Sequence, residues 1–286
     1  MKALHLRVFI LFFISLVFCN EKYIIGHSDN TPNIQKRVIE SSRSFDIPGV
    51  GFIQYAESFI STGEYLGEKD GFHIIKNIMT EMETDNRLAG LDIENYYWIA
   101  MNNIPCFVYI NSDGFSEYVE PVEKKYSYLK EAFERSYLND LHNWLCPFGL
   151  ESNNKSPISV GESWETSWDS VAIFINEVSP ESWTFGKTKF TLDKVKKKKG
   201  RNIAYISGMA EITVDMRAVV EFSNLGSSEF IDGVSHGFFE STHKWDLDRG
   251  VEIYQKETGY LEGDYEMGDK KFTTRIHFYI FQKMIK

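Results

Sequence analysis

Apolar and polar residues alternate in stretches along this chain. Gly51-Phe52-Ile53-Gln54-Tyr55 and Gly71-Phe72-His73-Ile74-Ile75 lie in such stretches, which run from Lys36 to about Gly90 with Gly- and Asp-containing breaks between them. A period of two puts alternate side chains on opposite faces, so these stretches predict antiparallel strands with one face buried. Tyr96–Ala100, Cys106–Ile110 and Phe115–Val122 are rich in aromatic and β-branched residues, and Asn111-Ser112-Asp113-Gly114 supplies a turn between the last two. They predict three consecutive strands. The period then changes. Tyr126, Leu129, Phe133, Tyr137, Leu141, Trp144 and Leu145 recur at steps of three and four, with Lys130, Glu131, Glu134, Arg135 and Asp140 between them, which predicts one amphipathic helix over 126–146. Pro147 ends it, and Glu151–Pro157 is a polar linker, the best candidate boundary between an N-terminal part (36–150) and a C-terminal part (158–286). From Ile158 onward strand patterns return as a long antiparallel meander. Its turn signals fall at Ser179-Pro180, Lys199-Gly200, Asn224–Ser228, Asp248-Arg249-Gly250, Gly263-Asp264 and Gly268-Asp269.

A helix with a broad apolar face must cover something. The elements together therefore predict a mainly β (α+β) fold, a curved antiparallel sheet or half-barrel with the helix packed across it, in which both parts form one continuous fold.

Ahead of these elements, Lys2 and Arg7 precede an apolar run from Val8 to Phe18, interrupted only by Ser15, that ends at Cys19. This reads as an export signal over residues 1–19. The run is eleven residues, whereas a spanning helix needs about 20, so a permanent anchor from this segment is not expected. Leu16-Val17-Phe18-Cys19 resembles the lipobox of bacterial lipoproteins except at Phe18, where that motif wants a small residue. Two processing routes stay open: lipidation of Cys19, or signal-peptidase cleavage after it, with Val17 and Cys19 as the recognised positions. Residues 20–35 then read as a tether, since Glu21–Asn33 mixes Gly, Ser, Asp, Asn and Pro without period. Cys106 and Cys146 remain in the exported chain. An oxidising compartment permits a disulfide between them, worth on the order of 3–4 kcal/mol for a loop of about 40 residues. The plainer expectation is two separately buried thiols.

Removing residues 1–19 leaves 29 Lys and Arg against 41 Asp and Glu, a formal charge of −12. Such a balance repels phosphate backbones and excludes nucleic acid as a partner. With 43% hydrophobic and 15% aromatic residues the chain can bury a substantial core.

Candidate chemistry is sparse. Asp246-Leu247-Asp248-Arg249-Gly250 imitates a calcium loop, and Glu257 falls at its twelfth position, but Val251 stands where the sharp turn requires Gly. A hairpin turn is expected instead. His236 and His243 are seven residues apart, and neither HExxH nor paired CxxC occurs, so no metal site or cofactor is expected. If 237–247 is one strand, His243 shares a face with Phe239 and Trp245 and should be a partly buried, hydrogen-bonded histidine. Neither a GxSxG elbow nor a P-loop is present, and Ser235-His236 cannot form a triad because strand neighbours point to opposite faces. The one basic run, Lys194, Lys196–Lys199 and Arg201, lies between strand patterns and reads as a solvated hairpin tip, with anionic lipid head groups as the functional alternative.

Val160-Gly161-Glu162-Ser163-Trp164, the basic hairpin Thr191–Ile203, and Gly237-Phe238-Phe239-Glu240 followed by Trp245–Gly250 resemble exported bacterial β-rich lipoprotein families of unknown function, mainly over residues 157–286. Their architecture looks like the half-barrel of lipoprotein-localisation carriers. The resemblance implies fold and location and transfers no ligand or catalytic residue. The reading that follows is a noncatalytic periplasmic or envelope protein that binds or carries an amphipathic or lipid ligand. A protein-interaction module is the alternative, with a hydrolase behind it. The residues expected to line a cavity are Phe133, Tyr137 and Trp144 from the helix and Trp164, Trp183, Phe239 and Trp245 from the strands.

Overall fold

A computed structural model of the chain describes residues 21–26, 28, 30–47, 51–88, 91–92, 100–111, 116–130, 133, 157–171, 183–222 and 227–285. Its strands are β1 (Lys22–Tyr23), β2 (Ile34–Ile47), β3 (Gly51–Lys69), β4 (Phe72–Thr84), β5 (Arg87–Leu88), β6 (Leu91–Asp92), β7 (Cys106–Ile110), β8 (Ser116–Pro121), β9 (Ile158–Ser159), β10 (Ser163–Val171), β11 (Trp183–Lys198), β12 (Arg201–Phe222), β13 (Ser227–Asp246), β14 (Val251–Met267) and β15 (Lys270–Ile285). Thirteen of them form one antiparallel sheet in the order β10-β11-β12-β13-β14-β15-β2-β3-β4-β7-β8, with β5 and β6 appended beside β3. The mainly β class follows, and among the described residues the sheet is not closed.

The two parts of the chain meet inside this sheet, where β15 pairs with β2 from His277 opposite Ser44 to Ile285 opposite Lys36. The predicted boundary segment up to 156 lies outside the described residues. Turn chemistry explains the long hairpins. Lys199 and Gly200 both have positive φ, 51° and 84°, and Asp70 and Gly71 do likewise at 55° and 82°. These are the conformations that match strand twist in a two-residue hairpin.

Two expectations need correction, and two more fall largely outside the described residues. Among the described residues no helix reaches seven residues. The segment predicted as a long helix begins as a 3-10 turn, Lys124–Leu129, with helical Lys130 and Phe133 after it, and the remainder lies outside the described residues. The helix packed across the sheet is therefore not seen; the aromatic spacing of three suits a 3-10 turn as well as an α-helix at this end. Of the strand expected at 96–100, only Ala100 is described, and it is helical. Gly263-Asp264 is not a turn but lies within β14. A Cβ at Gly263 would fall 2.4 Å from the carbonyl oxygen of Val234, so the glycine there answers to close strand approach rather than to a reversal. The supposed tether is likewise partly built in, since β1 pairs with β9 and Ile25 is buried.

Burial follows the strand period. On β14, Gln255, Leu261, Tyr265 and Met267 are buried while Lys256, Thr258, Tyr260, Glu262, Asp264 and Glu266 are exposed. Two apolar clusters occupy the buried face. One joins Phe59, Ile75, Met79, Met101, Cys106, Val108, Ile110, Val119, Leu129 and Phe133 across β3, β4, β7 and β8. The other joins Ile25, Ile158, Phe190, Leu192, Ala204, Ile206 and Trp245 across β11–β13, beneath the β1–β9 pair.

Candidate functional site

Between the clusters the same face turns polar. Read across the sheet through successive cross-strand pairs, one row runs Leu192, Ile206, His243, Gln255, Gln282, Ile39, Phe59. Apolar residues stand at both ends and three hydrogen-bonding side chains in the middle. The next row contributes Ser241 and Glu257, paired across β13 and β14. Arg37 enters from β2.

These groups bond to one another. His243 Nδ1 shares a hydrogen bond of 2.7 Å with Glu252 Oε1, and its Nε2 shares one of 2.8 Å with Ser241 Oγ. The Arg37 guanidinium donates to Gln282 Oε1 (3.0 Å) and Gln35 Oε1 (2.7 Å), and Gln282 Nε2 donates to Gln255 Oε1 (2.6 Å). Strand pairing sets this up, because residues opposite each other on one face lie about 5 Å apart, within reach of amide and imidazole side chains. Burial pushes the Glu257 carboxyl above the ordinary 4.5, opposed by nearby His243 and a bond from Gln255 and reinforced by Glu252. Burial also pulls the Arg37 guanidinium below its ordinary value, with Glu252 opposing. Further along the face, burial raises Glu57, against the pull of Arg43 and a hydrogen bond from Ser41. One atom stands out: Glu252 Oε2 is buried and meets no hydrogen-bond donor among the described residues. A buried carboxylate oxygen without a donor costs free energy, so the strip has an acceptor to offer.

Ser241, His243 and Glu252 follow the bond order of an acyl-transfer triad, which no sequence motif signalled. A triad also needs donors aimed at a developing oxyanion. Ser241 sits on an interior strand, opposite Gly208 on one side and Glu257 on the other, so its amide belongs to the sheet ladder. Its hydroxyl occupies the space that Gly208 leaves open; a Cβ there would lie 2.2 Å from Oγ. The arrangement orients and satisfies His243, the buried, hydrogen-bonded histidine that the strand pattern predicts.

Trp164 and Trp245 come together around the β11–β13 cluster, with the Trp164 ring tilted against Phe190 at 5.7 Å between centres. Phe239 faces Phe278 at 5.4 Å along the same buried face. Phe133 belongs to the other cluster, on the far side of the polar strip. Trp183 lies on β11 opposite Asp215. Tyr137, Trp144, Cys19 and Cys146 lie outside the described residues, and Cys106 is buried in the cluster with Phe133. The Asp246–Gly250 segment is a turn whose carboxylates serve the protein. Asp246 accepts from Arg201 at 2.6 Å, and Asp248 accepts from the backbone and side chain of Asn202 at 2.8 and 3.1 Å.

The exposed face carries charge far along its strands. Glu262 pairs with Arg275 and Glu266 with Lys271, positions where a lipid-facing row would be apolar. Among the described residues no helix is long and apolar enough to cross a membrane.

No protein-family model matches the chain, and no curated protein matches it. Among solved structures, it is similar to Neisserial surface protein A, with 6% identity over 89% of this chain and 98% of that one, at a TM-score of 0.23. It is also similar to Salmonella typhi OmpF in complex with daunomycin, with 6% identity over 90% and 99% of the two chains, at a TM-score of 0.27. At those scores the likeness carries no argument about this chain.

Proposed function

We propose that this is a noncatalytic protein of the cell envelope that holds an amphipathic, lipid-like ligand against the buried face of a half-barrel sheet. The polar part of the ligand would meet the strip formed by His243, Glu252, Gln255, Gln282 and Arg37, and its apolar part would lie along the flanking clusters. The observation that carries this reading is the buried Glu252 Oε2 without a donor, set in a polar strip with apolar clusters on both sides. Export of the chain, read from residues 1–19, supports the location. A head group bearing a hydroxyl or ammonium group would supply the missing donor.

Titration of the exported chain with a lysophospholipid, followed by calorimetry, tests the proposal. Saturable binding is expected, weakened about tenfold by Glu252→Gln or by Gln282→Leu, the scale of one buried polar contact. Absence of saturable binding, or equal affinity in both variants, overturns it. The noncatalytic part is tested with a fluorophosphonate probe, which should leave Ser241 unlabelled; stoichiometric labelling that Ser241→Ala abolishes would make the protein a hydrolase.

A second reading, an interaction module, is favoured by the sheet's ends. Among the described residues β10 and β8 each pair on one side only, and such edges accept a strand from another chain.

A further inference from the structure

On the exposed face, opposite the polar strip, successive strand pairings place Lys194, Tyr205, Lys244, Tyr254 and Lys283 in one row across β11–β15. Lysine and tyrosine alternate strand by strand. At about 4.8 Å per strand the row is about 19 Å long. Lys194 Nζ lies 5.2 Å from the Tyr205 ring centre, and Lys244 Nζ lies 4.0 Å from that of Tyr254 and 5.9 Å from that of Tyr205. The hairpin tip Lys196–Lys199 continues from the β11 end of this row.

These cations differ from those elsewhere on the same face. Arg275 and Lys271, towards the opposite end of the strands, are neutralised by Glu262 and Glu266. Among the described residues none of Lys194, Lys196–Lys199, Lys244 or Lys283 is in an ion pair. The acid within the run, Asp193, is held by a hydrogen bond from Ser207 at 3.0 Å, Asp246 takes the Arg201 charge, and Glu40 lies one row away opposite Phe281. An acidic chain thus keeps one end of one face basic.

We infer that this Lys–Tyr row and the lysine tip form a docking surface for an anionic phospholipid membrane. The row is spread over five strands, which fits a surface of head groups rather than one bound anion. Its cations are lysines, point charges that tolerate mobile phosphates, whereas recognition of a single carboxylate or phosphate favours the fork of arginine. Tyrosines take the headgroup level, apolar ring inward and hydroxyl in water. Chain continuity puts the amino-terminal end at the same end of the strands, over the opposite face, where Ile25 and Ile158 join the buried cluster. β1 pairs with β9, and the turn after β9 bonds to both backbone groups of Leu192, two residues before Lys194. The inference rests on export of the chain and not on the ligand proposed for the buried face.

The test is co-sedimentation of the exported chain beginning at Asn20, without any acyl group, with vesicles of phosphatidylcholine alone or mixed with phosphatidylglycerol. Binding to the mixed vesicles is expected, with loss at high salt. The variant Lys194→Gln/Lys196→Gln/Lys197→Gln/Lys198→Gln should bind at least about tenfold more weakly, and Lys270→Gln/Lys271→Gln at the opposite end should bind as the unmodified chain does. Circular dichroism confirms that each variant is folded. Equal binding to both vesicle types, full binding by the quadruple variant, or binding to soluble polyglutamate but not to vesicles overturns the inference. Lysophospholipid titration of the quadruple variant separates this surface from the buried strip, whose affinity should not change.

Discussion

Glycine at 259 shows how tightly the buried face is fitted at the level of single residues. It stands opposite Phe239, and a Cβ there would fall 2.5 Å from the carbonyl oxygen of Phe238 and 2.6 Å from the Phe239 ring. Gly259→Ala should therefore destabilise the protein by about 2 kcal/mol or more, whereas Gly26→Ala, with nothing within 4 Å, should change little. Chemical denaturation measures both, and equal effects would contradict the packing. Glu257 yields a pH dependence. Burial raises its carboxyl above the unfolded value, so the folded state holds the proton more tightly, and the stability this contributes is complete below about 4.5 and lost as pH rises through the raised value. Glu257→Gln removes that ionisation. The variant should match the unmodified protein in melting temperature at acid pH and exceed it increasingly towards neutrality; a gap that widens on acidification would contradict the burial. None of this strip was picked out as a site from sequence. His243 was legible as partly buried because it alternates with Phe239 and Trp245, but its carboxylate partner Glu252 comes from β14, and Arg37 and Gln282 from β2 and β15. The available signal was phase: Gln255, Glu257 and Gln282 fall in step with Leu261 and Phe278 on the buried side of their strands.

Among the elements, strands and tight turns were the legible part, because period and turn chemistry act over a few residues. Lys199-Gly200 and Gly268-Asp269 reverse the chain as their composition implies. The misplaced turn at Gly263 shows the limit, since glycine serves reversal and close approach alike, and only the pairing partner distinguishes them. The helix expected over 126–146 is described only at its start, as the 3-10 turn Lys124–Leu129 with helical Lys130 and Phe133, and the rest of it lies outside the described residues. Which strands pair across the chain is written in no local pattern, and the β15–β2 seam is the case that matters most. Ser42 lies in the middle of that seam, on the exposed face opposite Tyr279. Ser42→Pro removes a ladder donor without touching the buried face and should cost about 3 kcal/mol. Hydrogen exchange should show lost protection in β14–β15 and in β2–β3 together. Loss confined to β2 and β3 would mean that the two parts of the chain are not joined through this seam.

At the scale of the whole molecule, the sheet has two unlike faces and two unlike ends. One face buries apolar clusters around a polar strip; the other is charged and, at the end where the chain enters the fold, basic and aromatic. The export expected from sequence, the ligand proposed for the first face and the membrane contact inferred for the second together describe a protein that would work at a lipid surface. The strip is its centre. Native mass spectrometry of the mature protein purified from its own cell envelope, coupled to lipid extraction, tests it most directly. The account predicts an adduct of lipid mass that is retained in the unmodified protein and depleted in Glu252→Gln. A protein that emerges empty under the gentlest release conditions, or an adduct that Glu252→Gln retains in full, would contradict it.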